Sequence, residues 1–87
     1  MKAKDEKTTV ALVPGKVAAD HLTGLLALTG IRSSALKQAL RDHLVEGVPT
    51  ATAWREHGVS GSQGHRRLDV VQEAHRKVAA IAEFYQP

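Results

Sequence analysis

The sequence predicts a small all-α protein that contains a helix-turn-helix and a long C-terminal helix. Three observations support this fold class. Apolar residues recur at helical spacing, as Leu36, Leu40 and Leu44 do. Gly and Pro punctuate these apolar segments where helices should end. No segment shows the apolar-polar alternation that is typical of a strand. The 87 residues suffice for one domain with a small core, which association with a second copy would stabilise.

The first segment of the chain is predicted to be a flexible N-terminal arm over residues 1–16. It carries mixed charges and then Pro14-Gly15, a pair that breaks regular structure. Its short apolar run, Val10–Val13, has the composition to dock on another surface. Residues 17–87 are predicted to form the folded domain.

Two helices are predicted in the first half of this domain. The first covers about Ala18–Thr29, and Gly30 stands where a residue with left-handed backbone closes a helix. The second begins after Ser33 or Ser34, either of which can accept the N-cap hydrogen bond, and ends before Gly47.

Two more helices are predicted in the second half. A short one covers Thr50–His57, with its first residue as the N-cap and Gly58 closing it. The last begins at Ser60 or Ser62 and runs to about Tyr85, a length of roughly 35 Å.

The last helix carries two apolar lines. One steps by three and four residues, as heptad a and d positions do, and the other runs through Val70, Ala74, Ile81 and Phe84. One line can pack on the core of the same chain, and the other then needs a partner, most simply a second copy. A single wide apolar face on a monomer is the alternative. We predict a homo-oligomer, at least a dimer, whose contacts are Val71, His75, Val78, Ala82 and Tyr85.

Residues 50–68 have the pattern of a helix-turn-helix. Gly58 permits the positive φ of the turn, and Val59 is placed to fill the gap between the two helices. The second helix opens with small polar and basic residues and has no acid before Asp69. Such residues can approach base edges while the amide groups of the first turn face phosphate.

The contact between these two helices departs from the usual pattern. A small residue is expected in the first helix, but Trp54 is present, and Gly64 stands at the facing position. We predict that the indole fills the space that the glycine leaves, so that Trp54→Ala costs about 3–5 kcal/mol.

Helix phase predicts which side chains face DNA. Ser62, Gln63 and Arg66 point away from Leu68, and Arg67 lies nearer the buried edge, where it is placed for phosphate. Arg pairs with guanine and Gln with adenine through two hydrogen bonds. For any single basic residue, a solvated surface role is the alternative. The predicted DNA-binding residues are Thr50, Ser60, Ser62, Gln63, His65, Arg66, Arg67, Arg55, Lys37 and Arg41.

Several short stretches also look familiar as a set: Asp20-His21-Leu22, Gly30–Ser33, Ala39–Gly47 and the helix ending Val78–Tyr85. In these, residues 17–85 resemble the PapB family of adhesin (fimbrial) biosynthesis transcriptional regulators. The helix-turn-helix is also similar to that of the KorA (TrfB-type) plasmid repressors. The resemblance implies an all-α bacterial protein that oligomerises and binds regulatory DNA, often AT-rich, to activate or repress operons.

Composition argues against several other classes of protein. The chain has no Cys, no phosphate-binding loop after a strand and no paired carboxylates, so neither an enzyme nor a cofactor is expected. The five His residues show no metal-ligand spacing, and no metal site is expected. No segment is long and apolar enough for a membrane span or a signal peptide, which predicts a cytoplasmic protein.

Two functions remain open beside sequence-specific DNA binding. The heptad line also suits a protein-protein interaction module, of the adaptor or antitoxin-like kind, that pairs through its C-terminal helix. The net charge of +3 also suits a nucleoid-type protein with little sequence preference.

Overall fold

The computed structural model describes residues 11–85, and their architecture is all-α, as the sequence predicts. Four helices follow one another and a single 3-10 turn closes the described part of the chain. We number the helices α1 (Ala19–Thr29), α2 (Ser34–Leu44), α3 (Thr50–Glu56) and α4 (Gly61–Ala82), and the 3-10 turn is Glu83–Tyr85.

The helix ends follow the local signals within one or two residues. Gly30 ends α1 in the left-handed conformation with φ 75°, and the Ser33 hydroxyl accepts a hydrogen bond from the Leu36 N–H at the start of α2. Pro49 rather than Thr50 is the N-cap of α3. The last predicted helix is shorter than expected, because its final three residues tighten into the 3-10 turn.

The core lies between α4 and the other three helices, each of which α4 contacts. Leu22 of α1, Leu40 and Leu44 of α2 and Val71 of α4 are its largest fully buried side chains. A domain this small buries little surface, so each of these side chains matters to its stability. The core residues are Leu12, Val17, Leu22, Leu25, Ile31, Leu36, Ala39, Leu40, Leu44, Ala53, Trp54, Val59 and Val71.

The segment before α1 packs on the domain over 12–17, which differs from the free arm predicted for 1–16. Leu12 is only 7% exposed, and its backbone N–H and C=O both bond the side-chain amide of Gln72, at 2.8 and 3.1 Å. The N–H groups of Gly15 and Val17 donate to the Leu44 carbonyl at the end of α2. The backbone polar groups of this segment therefore have partners that the local sequence does not reveal. The rest of the predicted arm, 1–10, lies outside the described residues.

The backbones of two turns meet where this segment crosses the end of α2. A Cβ on Gly15 would lie 3.2 Å from the Gly47 Cα, and both residues have φ near 80°. The approach requires glycine because a side chain on either residue would separate the two turns.

The described helices include none that is long and apolar enough to span a membrane.

Candidate nucleic-acid interface

The helix-turn-helix consists of α3, the turn at residues 57–60 and the first half of α4. Gly58 in the turn has φ 67°, as predicted from its position. Val59 follows it, is buried, and donates its N–H to the Trp54 carbonyl at 2.8 Å. This hydrogen bond satisfies a carbonyl at the end of α3 and holds the turn closed.

Ser60 caps the start of α4. Its hydroxyl accepts a hydrogen bond from the Gln63 N–H at 3.2 Å, and its carbonyl accepts one from the Gly64 N–H at 2.8 Å. The predicted cap is therefore present, and it occupies the Ser60 hydroxyl oxygen. Ser62 and Gln63 are exposed beside it.

Trp54 and Gly64 form the predicted complementary pair. The indole is buried, and an added Cβ on Gly64 would lie 2.5 Å from its Cε2, 2.7 Å from Cδ2 and 2.8 Å from Nε1. Ordinary contacts between carbon atoms are about 3.5–4.0 Å. The space on α4 that a side chain would occupy is thus taken by α3, and this fixes the distance between the two helices.

His65 belongs to the same contact as well as to the surface. The Trp54 Nε1–H donates to His65 Nδ1 at 3.2 Å, and the same nitrogen lies 2.9 Å from the Gly61 carbonyl. A ring nitrogen either accepts or donates, so the two hydrogen bonds exclude each other. The predicted DNA contact by His65 would then use the other ring nitrogen, Nε2, while Nδ1 orients the indole.

A second set of hydrogen bonds braces α3 against α2. His57 Nε2 lies 2.7 Å from the Asp42 Oδ2, and His43 Nδ1 lies 2.8 Å from the Val48 carbonyl. The first joins α2 to the turn of the helix-turn-helix and the second secures the connection before α3. The position of α4 is thus fixed from α2 as well as from α3.

The predicted recognition residues of α4 are accessible. Ser62, Gln63 and Arg66 are exposed and Arg67 is half-buried, in agreement with the helix phase derived from the sequence. Arg66 lies on the side of α4 that faces Thr29 at the end of α1. These positions leave the N-terminal turns of α4 free to approach a large partner.

The basic residues outside α4 fall into two groups. Lys37 and Arg41 line one groove between α1 and α2. Arg55 lies exposed on α3 and lines none of the depressions near α4. Thr50 is half-buried in the first turn of α3. The predicted DNA-binding residues therefore do not all share one depression.

The structure places one further cation, Arg32, next to the predicted recognition residues of α4, and the sequence-based prediction does not include it. It is exposed in the connection between α1 and α2, and it lines a hollow together with Gln63 and Arg67 of α4. One signal was available, because Arg32 is the only cation in the connection at residues 30–33.

Val71 does not belong to an accessible oligomerisation face. It is fully buried in the core of the single chain, so the prediction rests on the other four residues. His75 and Ala82 are half-buried, and Val78 and Tyr85 are exposed. Exposed apolar side chains continue at this end with Ile81 and Phe84. Residues of both apolar lines of the last helix thus form one exposed apolar surface at its C-terminal end. The first line also contributes Val71 to the core.

His75 has a polar environment of its own. Its ring centroid lies 5.1 Å from that of His21 on α1, and its Nδ1 is buried without a hydrogen-bond partner in the described part of the chain. Burial, followed by the nearby His21 and Arg76, lowers the pKa of His75 below its ordinary value. Within residues 11–85, no three His, Asp or Glu side chains gather as metal ligands.

Comparisons with known proteins agree with this fold. The family model of PapB, described as adhesin biosynthesis transcription regulatory protein, matches residues 1–85. The crystal structure of E. coli FocB superimposes with a TM-score of 0.82 at 19% sequence identity, covering 95% of this chain and 94% of the FocB chain. No curated protein sequence matches significantly.

Proposed function

Since this chain belongs to the PapB family of adhesin biosynthesis transcription regulatory proteins, we propose that it binds operator DNA in a sequence-specific manner through its helix-turn-helix. The family consists of transcription regulators and not of enzymes. We propose further that the protein acts as an oligomer, on AT-rich operators, in the cytoplasm.

The observation that carries the proposal is the exposed start of α4. Ser62, Gln63 and Arg66 project from a helix whose position is fixed by the Trp54–Gly64 contact. A rigid helix that presents polar and basic side chains on its first turns is the element that enters the major groove in helix-turn-helix proteins. Arg66 is the candidate for guanine, and Gln63 for adenine.

The oligomer is supported by the exposed apolar end of α4. Phe84 is 75% exposed and Tyr85 81%, and Val78 and Ile81 continue the apolar surface toward the middle of the helix. Apolar side chains that gather in this way mark protein contact sites. A second copy is the occupant that we propose, because two-fold related helix-turn-helix units read two half-sites of an operator. Pairing with a different protein is the rival function.

The test is fluorescence anisotropy of labelled AT-rich and GC-rich duplexes titrated with the protein over a series of salt concentrations. We expect tighter binding to the AT-rich duplex and an affinity that falls steeply as salt rises, because phosphate contacts release counterions. Equal affinity for both duplexes at all salts would indicate a nucleoid-type protein. No binding at low salt would leave the protein-protein module as the better account.

Two matched variants assign the binding to α4. Arg66→Ala should weaken binding to the preferred duplex by about 1–3 kcal/mol and relax the preference at one base pair. Arg76→Ala removes the same charge about 15 Å further along α4, where Arg76 pairs with Glu73. It should bind as the unchanged protein does. Equal effects of the two substitutions would show that only overall charge matters and would contradict base reading by Arg66.

A further inference from the structure

Arg32 lies at the junction of two depressions on the surface. On one side is a hollow of about 300 Å³, which Arg32 lines with Gln63 and Arg67 of α4. On the other side is the groove between α1 and α2, about 650 Å³, which it lines with Lys37 and Arg41. The connection between α1 and α2 therefore joins the start of α4 to the basic face of α2.

The charges along this path have one sign. Of the residues that the structure describes, no Asp or Glu lines either depression. Among residues 11–85, neither Arg32 nor Lys37, Arg41 or Arg67 forms an ion pair with a carboxylate. Neighbouring cations without counterions produce a positive potential that attracts a polyanion.

We infer that these four residues bind the sugar-phosphate backbone of the same duplex whose bases face α4. We call them the Arg32 surface: Arg32, Lys37, Arg41 and Arg67. This inference rests on the proposed function, because it assumes that α4 meets DNA. It adds a residue that neither helix of the helix-turn-helix contains, and it extends the contact from α4 across the α1–α2 connection onto α2.

The lining of the hollow next to α4 favours DNA over an acidic protein. Gln63, proposed to reach a base, lines the same hollow as Arg32 and Arg67, so a duplex held by α4 passes next to both guanidinium groups. That hollow is lined mainly by polar groups, whereas the groove beyond it also exposes apolar side chains such as Ala27. Cations around a mainly polar hollow suit phosphate better than a protein interface, which has an apolar centre.

Such contacts contribute affinity without sequence preference, which gives the Arg32 surface a signature of its own. The plot of log affinity against log salt has a negative slope, and removing one phosphate contact makes that slope shallower by about 0.9. For Arg32→Ala, the ratio of wild-type to variant affinity should therefore shrink about 3.5-fold between about 50 and 200 mM salt. The weakening should be equal on AT-rich and GC-rich duplexes.

The experiment measures Arg32→Ala, Arg32→Lys and the control Arg76→Ala by anisotropy on both duplexes over the salt series. Arg32→Lys keeps the charge and should keep the slope, and the control should leave both slope and affinity unchanged. Arg32 is exposed, so thermal melts should show all three variants folded. Polyglutamate, which stands for an acidic protein, is titrated as a competitor of the labelled duplex. Its binding to the unchanged protein is compared with its binding to the triple variant Arg32→Ala, Lys37→Ala, Arg41→Ala.

Three results would overturn the inference and leave the proposed function standing. Binding of Arg32→Ala to both duplexes with the wild-type affinity and slope would exclude a phosphate contact. A loss of affinity for one duplex only would make Arg32 a base-reading residue. A triple variant that loses polyglutamate binding and keeps its DNA affinity would assign the surface to an acidic protein. If the unchanged protein binds no DNA, the proposed function and the inference fail together.

Discussion

Replacing Gly64 with alanine perturbs the contact between α3 and α4 by a single methyl group. The new Cβ would lie 2.5 Å from the Trp54 Cε2, about 1 Å closer than an ordinary carbon-carbon contact. The indole is buried and cannot move aside without displacing its neighbours. We therefore expect α3 and α4 to be forced apart or the ring to leave its preferred rotamer.

The magnitude follows from two opposing effects. Overpacking a core by a methyl group costs about 1–3 kcal/mol. Alanine also has a better helix propensity than glycine, which stabilises by about 1 kcal/mol. The Gly64→Ala variant should thus lose up to about 2 kcal/mol. In a Trp54→Leu background, where the three close ring atoms are absent, the same substitution should stabilise by about 1 kcal/mol.

The assay is a double-mutant cycle by urea unfolding, monitored by circular dichroism because Trp54 is the only tryptophan and the variants with Leu at that position lack its fluorescence. The coupling free energy between the two positions should be about 1–3 kcal/mol, well above the roughly 0.5 kcal/mol within which independent sites add. Gly24→Ala is the matched control, since Gly24 lies within α1 and a Cβ there meets nothing within 4 Å. It should stabilise by about 1 kcal/mol.

The reasoning would be refuted if Gly64→Ala stabilised the protein as much as Gly24→Ala does. It would also fail if Gly64→Ala had the same effect with Trp54 and with Leu at that position. Either result would mean that the indole does not fill the space next to Gly64.

Three further substitutions address other parts of the molecule. Leu12→Ala should lower the free energy of unfolding by at least about 2 kcal/mol because Leu12 is buried. The control Val13→Ala, at the exposed neighbour, should change it by less than about 0.5 kcal/mol. Equal values for the two variants in urea unfolding would show that the segment before α1 is not packed. The lowered pKa of His75 means that the folded protein binds this proton less tightly than the unfolded chain, so stability present above pH 6.5 is lost as the pH falls through the lowered pKa. His75→Gln should flatten the loss of stability as the pH falls below 6.5, and an unchanged pH profile would contradict this account. Val78→Asp should convert the oligomer to a helical monomer in light scattering, whereas the exposed Ala80→Asp should not; a persisting Val78→Asp oligomer would exclude this face.

The helices and their contact in the helix-turn-helix were predictable because their signals are local. Ser33 and Gly30 mark helix ends whichever way the rest of the chain packs. The Trp54–Gly64 pair was also predictable, since the two residues lie at positions where helix-turn-helix proteins require contact and their sizes complement each other. Local chemistry and the known geometry of one motif were sufficient for both.

The features that the sequence did not reveal depend on contacts between distant residues. The bond from Leu12 to Gln72 joins positions 60 apart in the chain, and no periodicity indicates it. Val71 was assigned to an oligomer face because two apolar lines share α4, and helix phase alone does not say which line faces the core. Arg32 gained its significance only when the fold brought Arg67 to the same hollow.

The hydrogen bond between Asp42 and His57 bears on the kinetics of DNA recognition. It holds α2 and the turn before α4 in a fixed relation before any duplex arrives. Contacts on both elements would then form together, with little ordering of the protein and a small entropic cost on binding. For such a preorganised surface, we expect similar association rates for operator and non-operator DNA. The difference in affinity between the two kinds of DNA should lie in the dissociation rates of their complexes.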